Sequence, residues 1–144
     1  MSARIRVMAL VGMLALGLCG SGDASAAADE AKKYYSLGMT QASQGKYDAA
    51  AESLRKAIEI RPKFPEAYHL LGIVYANGQR RFSDAADSFK KAIELNPNFA
   101  EAFYNLGLVY QVQGKSAEAE QELKRALATH PKYEEALVAL AQLY

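Results

Sequence analysis

The sequence predicts an all-α fold, a solenoid of three helix hairpins closed by a C-terminal capping helix. Three observations carry that prediction. Residues 31–133 repeat themselves with a period of about 34 residues, the mark of stacked supersecondary units. Each unit divides into two apolar-periodic runs of about a dozen residues, the spacing and length of amphipathic helices. Pro62, Pro97 and Pro131 end the three units at the same place, where a helix cannot continue.

Composition fits one folded domain. The 144 residues are 51% hydrophobic and 23% charged, with 10 Gly and 4 Pro, which excludes disordered, collagen-like and disulfide-rich classes. Basic residues number 17 against 16 acidic ones, and a net charge of +1 leaves no nucleic-acid footprint. One cysteine, Cys19, and two histidines far apart in the chain, His69 and His130, are too few for a disulfide framework or a Cys/His zinc site. No metal or other cofactor is expected.

The elements follow in order. Arg4 and Arg6 precede an unbroken apolar stretch, Val7 to Leu18, and then small residues, which is the order of a secretory signal peptide. That stretch is too short for the ~20 residues that span a bilayer. Ala24-Ser25-Ala26 suits a signal peptidase, so residues 1–26 are expected to be removed, leaving a short lead at 27–30. The alternative is lipid attachment at Cys19, with Leu16 as in a bacterial lipobox but Leu18 where Gly, Ala or Ser is usual. Membrane association is expected only in that case. Removing residues 1–26 takes away Arg4, Arg6 and Asp23, which leaves the two signs equal.

Repeat one spans 31–64, repeat two 65–99 with one extra residue in the turn Asn77–Arg81, and repeat three 100–133; residues 134–144 form a cap or partial fourth repeat. Helices are expected at about 29–44, 48–60, 66–77, 84–95, 101–113, 117–129 and 134–143. In the third repeat Phe103, Leu106, Val109 and Tyr110 share one face of the first helix, and Ala119, Leu123, Ala126 and Leu127 one face of the second. Gly38, Gly72 and Gly107 recur inside helices, where glycine costs ~1 kcal/mol against alanine, so each is expected under a close helix crossing. Ala50, Ala85 and Ala119 read the same way. In the cap, Leu137, Leu140 and Leu143 are expected to face inward and Gln142 outward or into the groove.

The recurring set is Tyr34, Tyr68 and Phe103; Leu37-Gly38, Leu71-Gly72 and Leu106-Gly107; Ala50, Ala85 and Ala119; Leu54, Phe89 and Leu123; then the three prolines. It resembles the tetratricopeptide repeat (TPR) family, whose pattern is W-x2-L-G-x2-Y…A-x3-F…P. Gln41 stands where Tyr75 and Tyr110 do, and Ser116 where Tyr47 and Phe82 do. The resemblance implies a right-handed superhelix whose concave wall is built from the first helix of each repeat.

The same resemblance implies which side chains face into the groove. The fifth helix position gives Tyr35, His69, Tyr104 and Val138, and the ninth Met39, Ile73, Leu108 and Gln142. The second gives Lys32 and an acidic rim of Glu66, Glu101 and Glu135; Ala42, Ser43, Ala76, Asn77, Gln111 and Val112 follow. Tyr35, Met39, Ile73, Tyr104 and Leu108 would form an apolar stripe that the stack does not need for its own core, a protein-binding signature. Asn105, beside it, would hydrogen-bond an extended partner backbone. The acidic first-turn residues also complement the helix dipole without any ligand. A clamp for acidic C-terminal tails, which the family builds from Lys, Asn and Arg, is not expected. The matching positions hold Tyr35, Met39, Leu70, Glu101 and Asn105, and only Asn105 fits.

Catalytic constellations are absent from the sequence: no Gly-rich phosphate loop, HExxH or GxSxG occurs. His130 reads as a loop histidine facing solvent. Glu118, Glu120 and Glu122, with Lys124 and Arg125, read as a solvated, ion-paired outer face. The expectation is an exported, periplasmic, non-enzymatic adaptor of the bacterial envelope that binds a protein or peptide in its groove. Two alternatives are a lipoprotein tethered at Cys19 within a pilus, wall or secretion assembly, and a subunit that self-associates.

Overall fold

Seven helices follow one another along residues 21–144, the part of the chain that this computed structural model describes. They are α1 (Ser21–Ser43), α2 (Tyr47–Ile60), α3 (Pro65–Gly78), α4 (Phe82–Leu95), α5 (Ala100–Val112), α6 (Ser116–Thr129) and α7 (Glu134–Leu143). The apolar stretch Val7–Leu18 and Cys19 lie outside the described residues. Among those described, no helix is long and apolar enough to cross a membrane.

The pairs α1–α2, α3–α4 and α5–α6 form hairpins, and each hairpin packs on the next through α2–α3, α4–α5 and α6–α7. The odd helices also touch along one side, α1 against α3 and α3 against α5. That side carries the concave wall. Among the described residues the largest fully buried side chains are Leu54, Val74, Phe89 and Leu123. Three of them, Leu54, Phe89 and Leu123, hold one repeat position, the one that faces the glycine of the preceding helix.

Those glycines are crossings, as expected from their recurrence. A Cβ on Gly38 would lie 2.8 Å from Leu54 Cγ, on Gly72 2.7 Å from Phe89 Cε1, and on Gly107 2.9 Å from Leu123 Cγ. Ala50, Ala85 and Ala119 are fully buried beside them. A fourth crossing was not legible: a Cβ on Gly78 would run into the Tyr47 side chain, which locks repeat two onto repeat one. The hairpin turns differ in one respect. Gly45 and Gly114 take φ of 75°, whereas the longer turn of repeat two reverses at Arg80, φ 50°, the one non-glycine residue with positive φ among those described.

Repeat ends are built alike. Arg61, Asn96 and His130, each before a proline, are extended and donate their backbone N–H to Ala57, Ala92 and Ala126. Next come Phe64, Phe99 and Tyr133 at the N-caps of α3, α5 and α7, where none forms a side-chain cap hydrogen bond.

Three expectations are corrected. Helix α1 begins at Ser21 rather than near residue 29, because alanines dominate Ala24–Ala31 and alanine is the strongest helix former. Leu137 does not face inward with Leu140 and Leu143; it stays 48% exposed. The stripe that meets α5 and α6 is Ala136, Ala139, Leu140 and Leu143, spaced three and four apart, and Leu137 falls beside it. Glu122 is not on the solvated outer face. It is 8% exposed, and its Oε2 has no partner although Arg125 reaches Oε1 at 3.3 Å. Repeats one and two place Ser53 and Ser88 at this buried position.

Candidate functional site

The concave wall starts from the fifth residue of each repeat. Tyr35, His69 and Tyr104 do not project freely: each packs on the aromatic residue that closes its own repeat. Ring centroids lie 5.1 Å apart for Tyr35–Phe64, 4.7 Å for His69–Phe99 and 5.2 Å for Tyr104–Tyr133. This corrects the expected free stripe. Tyr35, Ile73, Tyr104 and Leu108 are all partly buried against the core, so the stack does use them. Met39 is the exception at 50% exposed. The ladder partners Phe64, Phe99 and Tyr133 were missed, although KF, NF and KY close the three repeats in the sequence.

His69 sits at the centre of the wall, on α3 and facing α5. Its ring meets Phe99 edge-on and lies 5.7 Å from Phe89, and its Nε2 is 2.8 Å from Asn105 Nδ2. Burial pulls the imidazole down to about 4, with Glu101 working weakly in the opposite direction. The ring is therefore neutral near pH 7 and accepts the amide hydrogen of Asn105. That is a second correction, because Asn105 was expected to spend its amide on a partner backbone.

Two notches open along the groove, sharing Leu108. The first, about 390 Å³, lies between α3 and α5 over α4 and is lined by Ile73, Ala76, Asn77, Phe82, Phe89, Asn105, Leu108, Val109 and Val112. The second, about 380 Å³, lies between α5 and α7 and is lined by Tyr104, Leu108, Glu134, Glu135, Val138, Ala139 and Gln142. Val112 at 63% exposed and Val138 at 56% stand at their mouths. The structure thus gathers Ile73, Asn105 and Leu108 in one notch and Tyr104, Leu108 and Glu135 in the other. His69 braces the wall behind them. Tyr35, Met39 and Gln111 line neither notch, and Phe82, Phe89 and Glu134 were not anticipated there.

Glu66, Glu101 and Glu135 are exposed but unevenly spread. Glu66 stands at the start of α3, near enough to Tyr35 to add to the burial that raises that phenol. Glu101, Glu134 and Glu135 gather at the far end, in a polar cleft shared with Asn98, Thr129, His130 and Lys132. Tyr133 beside them is pushed up to about 12, first by burial and then by Glu101 and Glu135. His130 is exposed and meets Tyr133 edge-on at 5.9 Å. Among the described residues no group of three His, Cys, Asp or Glu side chains could hold a metal ion.

Comparison with known proteins agrees with this architecture. A family model described as TPR repeat matches residues 31–78 and 79–114, and one described as tetratricopeptide repeat matches 100–143. Among solved structures the chain is similar to the first TPR of Spaghetti (RPAP3) bound to the HSP90 peptide SRMEEVD. That match has a TM-score of 0.78 and 24% identity, covering 81% of this chain and 91% of that one. The crystal structure of MamA matches with a TM-score of 0.76 and 29% identity over 79% of this chain and 66% of that one. YrrB, a TPR protein with an unusual peptide-binding site, matches at 0.72 and 27% identity over 76% and 56%. The chain therefore spans about two thirds of the MamA structure and just over half of the YrrB one. No curated protein matches the sequence.

Proposed function

This chain belongs to the tetratricopeptide repeat family, and from that premise we propose that it is a non-catalytic adaptor holding a peptide segment of a partner protein in its concave groove. The observation that carries the reading is the pair of notches hinged on Leu108, apolar on their walls and polar at their rims. Such surfaces bind side chains of a partner segment. The peptide-binding site of YrrB, in a relative of the same fold, supports it. An acidic tail is not the expected ligand, because Glu101 would repel it and Tyr35, Met39 and Leu70 carry no cation.

Export completes the proposal. Arg4, Arg6 and the apolar stretch Val7–Leu18 support transfer to the bacterial periplasm, with release after Ala26 or acylation at Cys19. Fractionation of cells with labelled fatty acid separates these outcomes, since only an acylated chain carries the label. Retention of the full-length chain in the cytoplasm would overturn export altogether.

The binding test starts from a pull-down of envelope proteins with the chain lacking residues 1–26. The combined variant Leu108→Ala, Val112→Ser removes apolar area from the first notch while leaving Tyr104 on Tyr133. It should weaken binding of the recovered partner by at least tenfold, the cost of one central hot spot. Glu120→Ala with Lys124→Ala, an exposed pair on α6, should change it little. Loss of binding in the second variant but not the first would move the site to the convex side.

A further inference from the structure

The two notches differ in chemistry, and the difference specifies the occupant further. The α3–α5 notch has aliphatic and aromatic walls, Ile73, Phe82, Leu108 and Val112, with the amides of Asn77 and Asn105 and no formal charge. It suits an apolar side chain. In the α5–α7 notch, Tyr104, Leu108, Val138 and Ala139 make an apolar slot with Glu134 and Glu135 beside it. We infer that this second notch receives a lysine or arginine side chain of the bound segment, its aliphatic stem along Leu108 and Val138 and its charge at Glu134 and Glu135. The inference rests on the groove reading above and adds the chemistry of the partner.

Long cationic side chains bury their methylenes against apolar surface and keep the charged end in a polar setting, which is the layout of this slot. The ring of Tyr104 adds attraction for a cation. Among the described residues neither Glu134 nor Glu135 takes part in an ion pair. Lys132 lines the neighbouring cleft rather than this notch and makes no such pair. The N-terminus of α7 contributes roughly half a positive charge, which two carboxylates outweigh. The Tyr133 phenol, packed on Tyr104, is raised first by burial and then by Glu101 and Glu135. Neighbouring packed helices lie about 8–10 Å apart, so the apolar and basic anchors should be separated by three residues of extended chain or two turns of helix.

The test is selection from a displayed library of random dodecapeptides, followed by fluorescence anisotropy on synthetic copies of the winners. Selected peptides should pair a large aliphatic residue with Lys or Arg at one of those separations. Replacing that basic residue by Glu should weaken binding more than replacing it by Gln. Glu134→Gln with Glu135→Gln should weaken basic peptides by roughly fivefold, the upper range for a partly exposed ion pair, and 0.5 M salt should do the same. Glu94→Gln, exposed on α4 and away from both notches, should change nothing, and circular dichroism checks that α7 still folds. Winners without charge preference that are lost on Leu108→Ala, Val112→Ser would overturn the basic anchor and leave the groove standing. A selection that returns only peptides indifferent to that groove variant would overturn both.

Discussion

Asn105 donates a hydrogen bond of 2.8 Å to Nε2 of His69, joining α5 to α3 across the boundary between the second and third repeats. The bond needs a neutral imidazole, and burial between Phe89 and Phe99 keeps it neutral. The groove is thereby braced at its centre before any partner arrives. Such preorganisation lowers the ordering cost of binding.

Acid should loosen that brace. The His69 pKa falls from 6.5 in the unfolded chain to about 4 in the fold, so the unfolded state binds the proton first. Its contribution is complete above pH 6.5 and is lost as pH falls from there toward 4, by up to roughly 3 kcal/mol. Thermal midpoints of the native chain should drop across that window. His69→Tyr, which installs the residue found at positions 35 and 104, should flatten the drop; an equal fall in both proteins would assign the acid sensitivity elsewhere.

Glu122 should work in the opposite sense. Burial raises its pKa above 4.5, with Arg125 and Lys90 opposing, so the fold resists its ionisation. The associated penalty is absent at low pH and grows as pH rises through 4.5 to the raised value. Glu122→Gln should stabilise the chain at pH 7 by about 1 kcal/mol, since the unpartnered Oε2 then carries no charge, and the gain should vanish near pH 3.5. Denaturant melts at the two pH values measure it, and a gain that persists in acid would point to packing instead.

Overfilling a crossing should cost most where the ring is closest. Gly72→Leu meets Phe89 and Gly107→Leu meets Leu123, and each should lose ~1–3 kcal/mol or more. Unchanged urea midpoints for both would show that helices move apart freely at these places.

The Gly78–Tyr47 contact should behave as a coupled pair. Gly78→Ala alone forces Tyr47 off its seat, whereas in a Tyr47→Ala background the new methyl has room. The double variant should therefore be more stable than the two single losses predict, by about 0.5 kcal/mol or more. Strict additivity of the four melting curves would exclude the contact.

Most of the architecture was legible because it repeats. A glycine, an alanine and a proline at fixed spacing define a crossing, a small neighbour and a helix stop, and three copies remove the ambiguity of one. The features that escaped are those that differ between copies. Nothing in the local pattern distinguishes Glu122 from its exposed neighbours, because burial there depends on how the helices stack. Leu137 looked like core since periodicity alone cannot choose between two adjacent stripes of a helix that is apolar nearly all round. The packing of Tyr35, His69 and Tyr104 was not legible, since the aromatic that covers each lies about thirty residues on, at the end of the repeat. Asn105 was read as available to a ligand because its partner stands 36 positions earlier.

Each helix of this chain touches chiefly its neighbours in sequence, and that has a mechanical consequence. Hairpins coupled only to the next hairpin act as joints in series, so a small rotation at one joint widens or narrows the whole groove while the core of each hairpin stays intact. The stiffness of the groove is then set joint by joint. Between repeats one and two it comes from Tyr47 wedged on Gly78 and from the Gln79–Asp48 hydrogen bond. Between two and three it comes from the histidine and its amide. Weakening either device would loosen its own joint while the packing inside each hairpin stays as it is.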